Sequence, residues 1–234
     1  MIDPGADWHT HSSTTDGQDP LIAMVIAGAA AGLHTLGLSD HVRASTTWLP
    51  DYVREVRTLA GRTPLTLRCG VEAKILDRAG RLDLPDDLPE LDYVLVADHQ
   101  FPGEDGPVHP DRVRALLEDG TWDAADCLDQ LVTATALALA ASPVPPVLAH
   151  LFSLLPKCGL DEEQLDDQHL DALADACLAT GGWVEVNEKW RCPGARTLRH
   201  LHRRGVTLSA GSDAHRAADV GRWAYLPLVS AELT

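Results

Sequence analysis

Two kinds of hydrophobic pattern alternate along the chain and predict its secondary structure. Short β-branched or apolar runs typical of strands recur along the sequence, with longer helical patterns between them. The predicted strands lie around ADWHTH, TLGLSDH, LTLRCGVEA, DYVLVADH, PVLAHLF, GWVEVNE and VTLSAGSDAH. The predicted helices span 21–33, 51–60, 123–141, 161–180 and 193–204, and 78–91 is predicted to be a loop with at most a short helix. No linker interrupts this order, which predicts one α/β domain over residues 1–234 with a largely parallel sheet.

Each predicted strand ends in histidine, aspartate or glutamate. These polar ends are His9 and His11, Asp40 and His41, Glu72, Asp98 and His99, His150, Glu185 with Asn187, and Asp213 with His215. In a closed (β/α) barrel the carboxyl ends of all strands lie on one face, where the functional site is built. We therefore expect the seven stretches to converge on one place.

His9 and His11 have the spacing i and i+2, which on a strand places both side chains on the same face. This arrangement allows them to share a metal ion; the alternative is two polar residues on a solvated strand face. His200 and His202 have the same spacing within GARTLRHLHRRG, a predicted helix with Gly205 at its C-cap. Because residues i and i+2 do not face each other on a helix, His200 and His202 are predicted to be surface residues.

Other acidic and imidazole residues are candidates, and each has an alternative interpretation. Asp213 and His215 repeat the i, i+2 spacing after small residues, although Gly211 to Asp213 also fits a turn. Glu72 lies in an apolar run, where a buried carboxylate needs a metal or an arginine partner. His150 fits either a ligand or a core histidine that is hydrogen-bonded to a carbonyl group.

The adjacent pairs Asp40–His41 and Asp98–His99 allow only one member of each pair to face inward on a strand. We expect the histidines to be ligands and the aspartates to orient or cap neighbouring groups. Asp16 lies in Thr-Asp-Gly, which is also an ordinary turn sequence. No role is predicted for the histidines at three other positions, His34, His109 and His169.

The composition changes the picture chiefly through charge. Hydrophobic residues make up 45% and charged residues 23%, as in a globular protein with a sizeable core. Nineteen Lys and Arg against thirty-five Asp and Glu give a net charge of −16. This charge disfavours a nucleic-acid or anionic membrane partner, unless bound cations reverse the potential locally.

The cysteines and the first residues of the chain predict a cytoplasmic protein. The five cysteines are widely spaced without a C-x-x-C motif and are expected to be reduced thiols. The first residues lack the basic and apolar regions of a signal peptide. The longest nearly apolar stretch, 131–141, is too short to span a bilayer and is expected to be a buried helix face.

The ordered motifs resemble those of the polymerase and histidinol phosphatase (PHP) family over nearly the whole chain. They are DWHTHSSTTDG, GLSDH, GVEAKI, ADHQF, LAHLF, VEVNEKW and SAGSDAH, in the order of the family. The resemblance implies a distorted (β/α)7 barrel that holds two or three divalent metal ions at the C-terminal ends of its strands. Carried over motif by motif, the implied ligands are His9, His11, Asp16, His41, Glu72, His99, His150, Asp213 and His215.

The resemblance also implies how these ligands divide. Glu72 would bridge two ions, one of them held by His9, His11 and Asp213 and the other by His99 and His150. A third ion would be held by Asp16, His41 and His215. Mixed imidazole and carboxylate ligation suits Zn, Mn or Fe.

Such a site suits phosphoester hydrolysis, because adjacent divalent ions lower the pKa of a shared water and stabilise charge in an in-line displacement. Asp213 is the candidate proton acceptor. Lys189, Arg191 and Arg216 directly follow motif residues and are candidates to bind phosphate oxygens; the alternative is that they are surface cations on loops. Arg191 resembles an arginine that follows the Glu-x-Asn motif in histidinol-phosphatase-like members of the family.

We therefore expect a metal-dependent phosphatase acting on a small soluble phosphomonoester. Histidinol phosphate is one candidate, although the chain is short for that enzyme and lacks obvious long lid insertions. A second hypothesis keeps the metals but changes the bond to a cyclic phosphate, a phosphodiester or a non-phosphate ester or amide. A third is a metal-binding accessory module without turnover, against which the complete ligand set argues.

Overall fold

A seven-stranded parallel sheet curls into a nearly closed barrel and forms the centre of the molecule. The computed structural model describes residues 2–233. The barrel strands, in their order around the sheet, are β1 (Ala6–Asp7), β2 (Thr35–Leu38), β3 (Thr66–Lys74), β4 (Tyr93–Ala97), β7 (Pro146–Ala149), β8 (Trp183–Asn187) and β9 (Thr207–Gly211). A separate antiparallel hairpin follows β4 and consists of β5 (Phe101–Pro102) and β6 (Pro107–Val108). The expected (β/α)7 barrel and all seven predicted strands are confirmed.

The barrel closes where the chain segment after β1 meets the end of β9 and the segment that follows it. Trp8 N–H donates to Ala210 O at 2.9 Å, and His11 N–H donates to Ala214 O at 2.9 Å. Thr10 and Ala214 form an isolated parallel bridge. The first and last motifs of the sequence therefore lie side by side.

Aromatic side chains fill the lower part of the barrel. Tyr93 packs edge-to-face on Trp8, and its hydroxyl donates to Trp8 O at 2.7 Å. A Cβ atom on Gly37 or Gly70 would overlap the Tyr93 side chain, so these two strands need glycine beside it. Trp183 also packs edge-to-face with Trp8, with the ring centroids 4.8 Å apart. This apolar plug leaves only the upper end of the barrel for polar side chains.

Helices cover the outside of the barrel. They are α1 (Leu21–Ala30), α2 (Leu49–Ala60), α3 (Pro110–Glu118), α4 (Ala124–Ala141), α5 (Leu155–Cys158), α6 (Asp167–Thr180), α7 (Ala195–Arg203) and α8 (Tyr225–Ala231). In α2 the buried residues Leu49, Tyr52, Val56 and Leu59 recur every three or four positions, as expected for a helix with one face on the core.

The predicted helices exist, with shifts at their ends. The helix predicted over 161–180 is divided, because Asp161 caps a short 3₁₀ turn at Glu162–Gln164 and Asp166 begins α6 with a second capping box. Helices α3, α5 and α8 were not predicted from the sequence. The 78–91 segment contains no helix, as expected.

Helix α4 is long and apolar enough, by length and composition alone, to cross a membrane. In the fold it packs against α6, β4 and β7, and its buried residues include Leu131, Val132, Ala138 and Leu139. The predicted buried helix face over 131–141 is confirmed. All five cysteines are buried as free thiols.

Candidate metal centre

The histidines and carboxylates singled out in the sequence meet at the upper end of the barrel. Glu72 lies inside β3, and the backbone of His41 pairs with it in an isolated bridge beyond β2. The other candidate ligands follow strand ends or lie in the loop after β1. They are His9, His11, Asp16, His99, His150, Asp213 and His215. The expected convergence of the strand ends is thus what the fold produces.

Glu72 stands at the centre of this cluster and is fully buried. Its Oε1 lies 2.9 Å from His99 Nε2 and 2.9 Å from His150 Nε2. Its Oε2 lies 2.9 Å from His41 Nδ1, 3.3 Å from His11 Nε2 and 3.5 Å from His9 Nε2. One carboxylate therefore faces five imidazoles.

His9 and His11 point their Nε2 atoms at one another across 2.9 Å. Asp213 Oδ1 lies 3.7 Å from His11 Nε2 and 4.0 Å from His9 Nε2. The prediction that both histidines lie on a strand was wrong, because β1 ends at Asp7. The bridge from Thr10 to Ala214 holds the segment between them instead and gives their side chains a common direction.

Asp16 forms a second group with three imidazoles at the outer edge of the cluster. Its Oδ2 lies 3.4 Å from both His41 Nε2 and His215 Nε2, and its Oδ1 lies 3.9 Å from His11 Nδ1. The Asp16 side chain is 54% exposed, so this group opens to solvent. His11 thus faces both groups. The ligands are therefore divided between the metal ions less sharply than the resemblance implied.

These donor atoms fit divalent metal ions. Three sets have their ligand atoms within 4.8 Å of one another: His11, Asp16, His41 and His215; His9, His11 and Glu72; His41, Glu72 and His99. Glu72 Oε2 and His11 Nδ1 are buried without a hydrogen-bond partner among the described residues. Buried polar atoms rarely lack a partner, and imidazole with carboxylate is a ligand set that Zn, Mn and Fe accept.

Charge within the cluster is distributed unequally. Burial works against a charged Glu72, but the imidazoles of His99 and His9 hold the pKa of Glu72 well below its usual range. Burial, aided by repulsion from His9, lowers the pKa of His11 to about 4. Burial also acts on His150, yet the nearby carboxylates of Asp98 and Glu72 raise the pKa of His150 to about 10. Burial thus favours the neutral form of the His11 imidazole, whose lone pair can bind a metal ion.

The aspartates of the two adjacent pairs differ in what they contact. Asp40 accepts hydrogen bonds from Ser12 N–H at 2.9 Å and from Thr15 Oγ1–H at 2.7 Å, so it anchors the loop that carries Asp16. Asp98 lies 3.5 Å from His150 Nδ1 and has no aligned hydrogen bond among the described residues.

Two of the candidate ligands have unusual backbone conformations. His150 has a φ of +32° and Asp213 a φ of +53°, a region that residues other than glycine enter at a cost. Both residues stand just after a strand, where the chain must turn sharply to aim the side chain into the cluster. Such strain persists only where the surroundings hold it in place.

No role was predicted for Glu185 beyond its place at a strand end. In the structure it is fully buried, and its Oε1 lies 2.8 Å from His9 Nδ1. Neighbouring Asn187 donates to Glu185 Oε2 at 3.1 Å and to Asp213 Oδ2 at 3.5 Å. The period-2 alternation of β8 would have placed both residues on the inner face of the barrel.

The three candidate phosphate-binding cations differ in position. Lys189 reaches the cluster, with Nζ 3.2 Å from both Asp213 Oδ1 and His215 Nδ1. Arg216 forms a two-point ion pair with Asp219. Arg191 is exposed with a φ of +54° and has no side-chain hydrogen bond or ion pair within residues 2–233.

Two clefts adjoin the cluster. The larger, about 890 Å³, includes Lys189, Asp213, His215, Arg216 and Trp223 in its lining. A second, about 570 Å³, is lined by residues that include Asp16, His41, Glu72, Lys74 and His99. The two clefts share no lining residue, so the cluster is open to small molecules along two routes.

His200 and His202, which have the same spacing as His9 and His11, lie outside the cluster. His200 and His202 are on α7, as predicted, and His202 is exposed. His200 is only 13% exposed and pairs with Asp171 of α6 at 2.8 Å, so the surface prediction was wrong for it. Helix packing between α6 and α7 covers its ring.

No protein-family model and no curated protein matches this chain. Solved structures do match. The histidinol phosphate phosphatase of Lactococcus lactis, solved with zinc, L-histidinol and phosphate, superimposes with a TM-score of 0.65 and 15% identity over 97% of this chain and 92% of its own. A candidate histidinol phosphatase of Listeria monocytogenes gives a TM-score of 0.64 and 16% identity over 93% and 97% of the two chains. The chain therefore has the barrel fold of the histidinol phosphatase structures, which is the fold that its resemblance to the PHP family implies.

Proposed function

We propose that the protein is a cytoplasmic, metal-dependent phosphoesterase that hydrolyses a small soluble phosphomonoester. The observation that carries the proposal is the convergence of five imidazoles on the buried carboxylate of Glu72, with Asp16, Asp213 and His215 at its edges. Burying this many ionisable side chains costs stability that an apolar core would not, which favours a functional use for the cluster.

The residues that would hold two or three divalent ions are the nine that the motifs imply. They are His9, His11, Asp16, His41, Glu72, His99, His150, Asp213 and His215. When bound, ions of Zn, Mn or Fe would supply hydroxide near neutral pH and neutralise charge on the phosphoryl oxygens. Asp213 Oδ1, in contact with Lys189 and facing His9 and His11, is the proposed acceptor of a proton from the attacking water.

Side chains beside the cluster supply the positive charge that an anionic substrate needs in a protein of net charge −16. Lys189 is the strongest of the three proposed phosphate ligands, because its ammonium group already lies within hydrogen-bond distance of the cluster. Arg216 lines the same cleft, where Asp219 holds its guanidinium. Arg191 would have to move toward the site. The net charge also argues against nucleic-acid and membrane partners.

The similar structure from Lactococcus lactis is a histidinol phosphate phosphatase that binds zinc, L-histidinol and phosphate. This likeness supports a small phosphorylated substrate and makes histidinol phosphate one compound to test. A phosphodiester or cyclic phosphate is the second candidate, since the two separate clefts give room for an ester group on each side of the phosphorus.

The experiment is a hydrolase screen of protein reconstituted separately with Zn, Mn and Fe. Phosphomonoesters, including histidinol phosphate, are compared with phosphodiesters and cyclic phosphates; released phosphate is measured for the monoesters, and the alcohol or monoester product is measured for the diesters and cyclic phosphates. We expect metal-dependent release from monoesters that chelation abolishes. Cleavage of diesters without monoester turnover would replace the proposal by the second candidate, and metal binding without any turnover would indicate an accessory module.

A further inference from the structure

We propose that Glu185 is a positioning residue that ties together two parts of the metal centre, the ring of His9 and the main chain of His150. The inference rests on the metal site of the proposed function but is independent of the substrate. Glu185 lines neither of the two clefts. It lies in the middle of β8 and has no exposed surface. Its carboxylate acts through its neighbours.

The first tie fixes the orientation of His9. His9 Nδ1 donates to Glu185 Oε1 at 2.8 Å, so the ring proton is held on Nδ1 and the opposite nitrogen, Nε2, is turned toward His11 and Glu72. A carboxylate behind a metal-binding imidazole sets its tautomer and ring direction and makes it more basic. Glu185 thus determines which His9 atom can serve as a ligand.

The second tie holds the backbone of His150. His150 N–H donates to Glu185 Oε2 at 2.6 Å, and His150 has the strained φ of +32°. From this backbone the His150 ring reaches Glu72 Oε1 at 2.9 Å. Without an acceptor for its N–H group, the turn after β7 would lose the contact that keeps it in this conformation.

The packing around Glu185 is built to accommodate it. A Cβ atom at Gly211 would overlap Glu185 Oε1 and lie 2.9 Å from His9 Cβ, so β9 has glycine at this point. Asn187 donates a third hydrogen bond, to Oε2. No Lys or Arg pairs with Glu185 among residues 2–233, which leaves these N–H donors and the His9 ring as its stabilising partners.

Both carboxylate oxygens are needed, because each one accepts from a donor. In the variant Glu185→Gln one oxygen becomes an NH₂ group, which would face either His9 Nδ1–H or the N–H group of His150. The variant therefore either loses one of the two ties or, if its NH₂ group donates to His9 Nδ1, moves the His9 ring proton to Nε2 and so removes the ligand atom, while size and shape are kept. The variant Glu185→Asp retains the charge but is one methylene shorter, so it too cannot hold both partners.

The test measures metal binding without any substrate. Zn²⁺ dissociation constants are obtained by competition with a chromophoric chelator, and the visible absorption of the Co²⁺ form reports ligand geometry. We expect Glu185→Gln to weaken Zn²⁺ binding about 10–100-fold and to alter the Co²⁺ bands. The matched control is Glu162→Gln, which changes a partly buried carboxylate that accepts from Gly194 N–H, at 2.9 Å, and contacts none of the proposed ligands.

Circular dichroism of the metal-free proteins shows whether each variant is folded, and if Glu185→Gln is not, Glu185→Asp takes its place. Wild-type affinity and wild-type Co²⁺ bands in a folded Glu185 variant would overturn the inference, as would an equal loss in Glu162→Gln. Loss of Zn²⁺ affinity in the Glu185 variant, in a protein that hydrolyses no phosphoester, would support the inference while overturning the proposed function.

Discussion

His9 and His11 show how far a residue's surroundings decide its chemistry. His200 and His202 have the same i, i+2 spacing, yet their backbone is helical and His200 pairs with Asp171 outside the barrel. The pair near the N-terminus owes its shared direction to a bridge with the last motif of the chain, about two hundred residues away.

Replacing His9 and His11 together by Ala should abolish metal retention and phosphate release, because both rings face Glu72 from within 3.5 Å. Metal content is measured by elemental analysis of protein purified without chelator, and at least two equivalents of transition metal are expected for the wild type. The double variant His200→Ala/His202→Ala is the control; it should keep its metal and lose only the stability of the Asp171 pair. Metal retained in the first variant would contradict the ligand assignment.

Replacing Lys189 by Ala should raise the KM for a phosphorylated substrate roughly tenfold with a smaller change in kcat, as expected for loss of a charge-assisted hydrogen bond to substrate. Arg191→Ala should raise KM in the same direction if its side chain moves to the phosphate. Steady-state kinetics with Arg199→Ala, whose guanidinium pairs with Glu232 on the outer surface, provide the control. An unchanged KM for either variant would show that this residue does not bind the phosphate of the substrate.

At the scale of elements, the short barrel strands matter for function because their carboxyl ends position the polar residues of the cluster. The alternation of strands and helices along the sequence was sufficient to predict all seven strands, because apolar β-branched runs bounded by polar ends are a strong signal. The helices α3, α5 and α8 were missed; α5 and α8 have two turns or fewer, and such a helix leaves little periodicity to detect and is held by tertiary contacts.

Two glycines at helix ends provide a matched test of backbone conformation. Gly181 follows α6 with a φ of +65°, whereas Gly61 follows α2 with a φ of −73° and has room for a Cβ atom. Gly181→Ala should lower the free energy of unfolding by about 1 kcal/mol, because L-residues disfavour the left-handed region. Gly61→Ala should leave it unchanged or raise it by up to about 1 kcal/mol by restricting the unfolded chain.

Urea denaturation of the two metal-free variants measures the difference. Equal effects at both positions would show that the C-terminal ends of α2 and α6 have the same backbone conformation, contrary to the structure.

For the whole molecule, the barrel separates an apolar lower half from a polar upper end. Aromatic packing around Trp8 and Tyr93 fills the first, and the imidazole cluster fills the second. The stability of the upper end therefore depends on what neutralises the repulsion between the like-charged side chains of this cluster.

Removing metal should lower the melting temperature, and adding Zn²⁺ should restore it. A ligand that binds only the folded state at one hundred times its Kd adds about 2.7 kcal/mol to the free energy of unfolding. Thermal melts with chelator and then with excess Zn²⁺ check this. His9→Ala/His11→Ala should show a much smaller rise, and an equal rise in that variant would place the stabilising metal elsewhere.

The native thiols should react slowly with a disulfide reagent at pH 8. Burial raises the pKa of Cys69, Cys158 and Cys177 to about 12 and that of Cys127 to about 11, and it also raises that of Cys192. Because the thiolate is the reactive form, labelling of the folded protein should increase only as the pH rises toward these values. All five cysteines should react after denaturation, and rapid labelling of folded protein at pH 8 would contradict their burial.

The sequence by itself determined the order of strands and helices, and with it the set of histidines and carboxylates that stand at strand ends. It could do so because periodicity and polar termini are local properties of the chain. Only the tertiary structure decided that Glu72 faces five imidazoles, that His11 lies between two groups, and that Glu185 joins His9 to His150. These contacts connect residues as far apart as 176 positions, and their distances depend on barrel closure and on turns after the strands. Neither barrel closure nor the geometry of these turns can be predicted from a local sequence pattern.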